Sequence, residues 1–84
     1  MAQCIITSFE NSVAVYFNDI IPKGELELFD GQRNLLASKK FSDTDYFIIR
    51  QDNLPNGFVD AIIRTGTEVF KKRIYIHNNK KQTS

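Results

Sequence analysis

The sequence predicts an all-β fold, a single small antiparallel β-sandwich of about six or seven short strands. Apolar residues recur mostly at period two or in short runs, the spacing that lines one face of a strand. Clusters of turn residues interrupt those runs every eight to twelve or so positions. At 84 residues the chain has room for one hydrophobic core, so no second domain is expected.

Cys4 to Phe9 is the first predicted strand, ended by Glu10-Asn11-Ser12. Val13, Val15 and Phe17 then alternate with Ala14 and Tyr16 in a second, closed by Asn18-Asp19. Ile20-Ile21-Pro22-Lys23-Gly24 is predicted as a connection, because Pro22 lacks the amide that a central strand needs. In Glu25-Leu26-Glu27-Leu28-Phe29 the carboxylates face one way and the leucines the other, which predicts one solvated and one buried face. Asp30-Gly31 is a hairpin-turn signal, since both residue types tolerate the left-handed conformation of tight turns, and Leu35 to Phe41 is expected to return antiparallel.

Ser42-Asp43-Thr44-Asp45 is expected to be a loop. The following run, Tyr46-Phe47-Ile48-Ile49, is aromatic and β-branched and is predicted to be a strand buried on both sides. Asn53-Leu54-Pro55-Asn56-Gly57 is another turn. From Phe58 to Ile76 the apolar residues fit both a helical stripe and a hairpin. The hairpin is favoured because Thr65-Gly66-Thr67 would otherwise stand mid-helix, where Gly costs about 1 kcal/mol. The domain is therefore drawn over residues 1–77, with His77 at its edge and residues 78–84 as a basic polar tail.

Composition excludes several classes. The chain is 42% hydrophobic and 25% charged, the balance of a globular domain rather than of a disordered or membrane-embedded one. Net charge is only +1, too little for a strong field toward nucleic acid or anionic lipid. The charge is nevertheless uneven. Lys71, Lys72, Arg73, Lys80 and Lys81 give residues 71–84 a charge of +5 without one acid, leaving −4 on the rest. Cys4 is the single cysteine, so no internal disulfide can form. Met1 to Phe9 has neither a cationic leader nor an apolar run of signal-peptide length, so synthesis in the cytoplasm without a leader is expected. Ala2 stands where myristoylation requires glycine.

No residue pattern specifies catalysis, a cofactor or a metal. His77 is the only histidine and reads as a solvated strand-end residue rather than a triad member. Cys4, beside Ile5 and Ile6, reads as a small core residue, because a reactive thiol needs a cationic neighbourhood. Asp43, Asp45, Asp52 and Asp60 lack the spaced ligands of a calcium loop and read as solvated turn acids. Glu25 and Glu27 read as an exposed sheet face rather than a catalytic carboxylate pair.

The order of features resembles the C-terminal sorting domain of the type IX secretion system of Bacteroidetes. Three segments carry the resemblance. They are Gly24-Glu25-Leu26-Glu27-Leu28-Phe29-Asp30-Gly31 with the return Leu35-Leu36-Ala37-Ser38-Lys39-Lys40-Phe41, then Asn53-Leu54-Pro55-Asn56-Gly57, then Lys71-Lys72-Arg73-Ile74-Tyr75-Ile76. The match covers roughly residues 12–77 and implies an immunoglobulin-like sandwich, secretion as a fragment of a larger protein, and recognition by outer-membrane translocation machinery.

A non-enzymatic protein-interaction module is the expected function, and within it two uses compete. One is the sorting role that the resemblance implies; the other is a stand-alone subunit of a larger assembly, such as a decoration protein on a bacteriophage virion. Lys71, Lys72, Arg73, Lys80 and Lys81 are the candidate partner-binding residues, since basic ends order against acidic neighbours. A further alternative gives the same cations to a nucleic-acid backbone. The plainer role of Lys71 and Arg73 is to blunt an edge strand, with charges that discourage another sheet from pairing. Oligomerisation is compatible with either use.

Overall fold

The computed structural model describes residues 3–51 and 54–77. It is all-β and antiparallel, with five strands: β1 Cys4–Phe9, β2 Ser12–Phe29, β3 Leu35–Arg50, β4 Gly57–Thr65 and β5 Val69–Ile76. The predicted hairpins all form. Glu10 takes positive φ between β1 and β2, and the Thr65 hydroxyl accepts the Thr67 and Glu68 amides between β4 and β5. That local cap settles residues 58–76 as a hairpin rather than a helix, because the threonine side chain supplies the turn's hydrogen bonds.

Five strands replace the expected six or seven, since two predicted breaks are absent. β2 runs for 18 residues straight through Pro22, and β3 runs for 16 through Ser42–Asp45. Pro22 is tolerated because the ladder passes from Ile21↔Thr44 to Lys23↔Ser42 and skips the Pro22–Asp43 position. No bond is lost where the proline has no amide to give. The ladder also slips nearby: β2 advances from Tyr16 to Ile21 while β3 moves only from Tyr46 to Thr44. The extra β2 residues form a bulge that turns both strands together.

That corner lets one sheet bury its own face. The N-terminal half of β2 pairs with β1 and the end of β3, whereas its C-terminal half pairs with the start of β3 and with β4, which pairs with β5. The result is a curled half-barrel. Its ends are tied by side chains: the Gln51 amide donates to Leu36 O at 2.7 Å, and Ser8 Oγ donates to Tyr75 O at 2.6 Å. Ile6, Val13, Val15, Leu26, Leu28, Val59, Ala61, Ile63 and Ile76 are buried between the halves, and Leu54 enters from the loop before β4.

Aromatic rings fill the corner. Phe41 stacks on Phe47 with centroids 4.6 Å apart and meets Phe17 at 5.7 Å. Its ring lies over Gly24, where an added Cβ would come within 2.8 Å of Phe41 Cε1 and 3.0 Å of the Arg64 carbonyl oxygen. At the β2–β3 hairpin the left-handed residue is Arg33, at φ 70°, rather than Asp30 or Gly31. Asp30 acts instead through its side chain, accepting the amides of Gln32 and Asn34 at 2.8 and 2.9 Å.

The run at Tyr46–Ile49 departs from the expectation of two-sided burial. Phe47 and Ile49 are buried, but Tyr46 and Ile48 are exposed. Among the described residues no strand lies over this outer face, because the remaining strands close the core on the other side.

Replacing Gly24 with valine forces branched carbon into the space of the Phe41 ring. Urea unfolding of the Gly24→Val protein is expected to show a loss of about 1–3 kcal/mol, whereas Gly31→Ala, with nothing near its added methyl, should leave the midpoint nearly unchanged.

Candidate interaction surfaces

Two outward faces of the half-barrel differ in chemistry. The first spans β2, β4 and β5, where alternation sends one cross-strand row, Phe29–Asp60–Arg73, and the next, Glu27–Ile62–Lys71, to solvent. Oppositely charged neighbours compensate one another across these rows. Arg64 binds Glu27, and Arg73 Nε donates to Asp60 Oδ1 at 3.1 Å. A groove of about 610 Å³ opens on this face, lined by Phe29, Arg33, Asp60, Ile62, Lys71 and Arg73 among others.

Arg33 reaches this groove from the β2–β3 loop, which Asp30 holds in shape. Besides the two backbone amides, its Oδ2 accepts the Asn34 side-chain amide at 3.0 Å. These donors favour the ionised carboxylate and hold Asp30 below its ordinary value, the Asn34 backbone N–H acting most and its side-chain amide next. Among the described residues neither Arg33 nor Lys71 has an ion-pair partner. The groove therefore presents uncompensated cations beside the half-buried Phe29 and Ile62, a combination suited to a peptide carrying both carboxylates and an apolar side chain.

The structure thus brings Lys71 and Arg73 to one groove on β5, which among the described residues pairs with β4 alone and forms a sheet edge. Lys72 alternates to the other side, opposite Ala61, where its charge acts on Cys4. Lys80 and Lys81, with the whole 78–84 tail, lie outside the described residues, as does Asp52. Sequence reasoning missed Phe29, Arg33 and Ile62. Only the pairing of distant strands places them beside Lys71, although Arg33 in an Asp-anchored turn was a visible cation.

The second face belongs to β1, the first half of β2 and the end of β3. Ile5, Tyr16 and Tyr46 form one row; Thr7, Ala14 and Ile48 form the next. The Tyr16 and Tyr46 rings lie 4.7 Å apart, and Tyr46 is pushed above the usual phenol value, by desolvation first and by Tyr16 second. Neither row contains an ionisable acid or base apart from the tyrosine hydroxyls.

The remaining chemical candidates are dispersed. His77 is exposed beyond β5. Asp43 and Asp45 sit at the corner, far along the ladder from Asp60, and no group of three metal-binding side chains occurs among the described residues. Among the described residues no helix is long and apolar enough to cross a membrane. Cys4 is half-buried against the core, and desolvation pushes its thiol up to about 11 even though Lys72 pulls the other way. A cationic neighbour is present, yet burial outweighs it.

Two outcomes follow. The Cys4 thiol should react with a disulfide reagent at pH 8 roughly tenfold more slowly than an unhindered cysteine, since its scarcer thiolate is only partly offset by greater nucleophilicity; Lys72→Met should slow it further. For the Arg33 loop, the amide NMR shifts of Gln32 and Asn34 should titrate together, with a midpoint below the ordinary aspartate value of about 3.9. The loop's geometry is held above that midpoint and released as the pH falls through it. Compared with known proteins, the chain matches no protein-family model and no curated protein.

Proposed function

We propose that this chain is a non-enzymatic protein-interaction module, an immunoglobulin-like β-sandwich resembling type IX sorting domains, that captures an acidic segment of a protein partner. The observation that carries the reading is the groove: among the described residues Arg33 and Lys71 stand without carboxylate partners beside Phe29 and Ile62. Opposite charge steers a partner and sets its register, while the apolar floor supplies contact area. The two halves of the sheet, packed across one core, support the sandwich description, and the three sequence segments support the family. Lys72, Lys80 and Lys81 extend the cationic character of this end of the chain.

A second use, as a subunit of a larger assembly such as a virion, is favoured by the uncharged outward face on β1, β2 and β3. A surface of that kind is suited to permanent contact.

Export separates the two uses. A reporter carrying a Sec leader and ending in this chain should reach the cell surface of a Bacteroidetes host competent for type IX secretion. The Arg33→Glu/Lys71→Glu pair should lower the surface signal about tenfold or more, with periplasmic reporter accumulating. Retention of the unaltered fusion in the periplasm would overturn sorting and leave assembly as the function. Undiminished export of the double variant would remove the groove from recognition.

A further inference from the structure

We propose that the chain forms a two-fold homodimer through the uncharged face of β1, the first half of β2 and the end of β3. The inference stands apart from the basic groove, which lies on the other half of the sheet.

Exposure along this face is large. Ile5 is 58% exposed, Phe9 75%, Tyr16 44%, Tyr46 42% and Ile48 48%. Taking on the order of 200 Å² for a large side chain, these values leave roughly 500 Å² of side-chain surface bare, at the upper end of what a monomer usually tolerates. Two such faces bury about 1,000 Å² together, the size at which a specific interface becomes sustainable.

A second copy is the occupant that the chemistry selects. A charged partner would find no complementary charge in the two central rows, and the cation Arg50 lies in the flanking row that also holds Ser12 and the exposed Phe9. Self-apposition therefore brings no like charges together at the centre. Relief is also self-complementary. Ile5, Tyr16 and Tyr46 make a ridge of large side chains; the adjoining row is low at Thr7 and Ala14 and rises only at Ile48. A two-fold axis between the rows seats each ridge over the other copy's trough, the reciprocal contact that an isologous interface requires. Elsewhere the outward strands also expose Phe58, Val69 and Tyr75, but there Glu25, Glu27, Asp60, Arg64 and Arg73 stand among them, and their charges favour water.

Sedimentation velocity of the full chain between about 1 µM and about 1 mM provides the test. A species of twice 9.7 kDa is expected to grow with concentration. Ala14→Arg, which fills the trough with a charge, should weaken it about 100-fold or more, and Val69→Arg, on the outward side of β5, should leave it unchanged. Thermal melts accompany each variant, and Ile48→Lys replaces Ala14→Arg should that protein fail to fold. A wild-type chain that stays monomeric overturns the proposal and assigns the face to a different protein. Dimers that persist in a folded Ala14→Arg or Ile48→Lys variant overturn it as well.

Discussion

The Phe41 ring lying on the bare α-carbon of Gly24 is the contact on which the half-barrel depends. A five-stranded sheet has one face to bury and, with no helix among the described residues, only itself to bury that face against. The sheet must turn a corner within its two longest strands, and every residue there must let backbone and ring approach closely. Gly24 provides the space, Phe41 fills it, and Phe17 and Phe47 extend the aromatic cluster into the two halves. A side chain at residue 24 would hold the halves apart and loosen Leu26 and Ile63 together with the ring.

The same corner determines what remains outside. Once Val13, Val15, Leu26 and Leu28 point inward, the pleat leaves their neighbours no choice of face. In the second half those neighbours are mostly charged and pair across strands as Glu27 with Arg64 and Asp60 with Arg73. In the first half they are Tyr16, Tyr46 and Ile48. Two faces built by one alternation rule thus differ in affinity for water, and the difference lies wholly in the residues placed at the outward positions.

Local features were legible in the sequence because local chemistry produces them. Glu25 and Glu27 announce a solvated face, and Thr65-Gly66-Thr67 announces a turn whose hydrogen bonds one hydroxyl can supply. Non-local features were not. Pro22 reads as a break until its partner strand is known to skip that position, since the cost of a missing amide depends on whether a ladder bond was due there. Tyr46–Ile49 reads as buried twice over because a short apolar run does not say how many layers the chain can afford. Lys71 was identifiable as an exposed cation, but its grouping with Arg33 and Phe29 depends on pairing across four strands. Likewise, the neighbour of Cys4 proved to be Lys72, brought from the far end of the chain by the closing of the curl.

The two surfaces sit on different halves of the curl, so use of one leaves the other open. A dimer closed over Tyr16 and Tyr46 carries two basic grooves on its outer sides, each with its Arg33 loop already fixed by Asp30. Paired grooves of fixed spacing would engage a repetitive or two-armed acidic partner of the proposed kind with one encounter and one intramolecular step, so modest contacts at each site would combine into firm attachment. A lone groove has only Arg33, Lys71 and a small apolar floor with which to offset the entropy of association. Under the two proposals, doubling it through an uncharged, self-matching face would be the physical route by which so small a module holds a partner without a deep pocket.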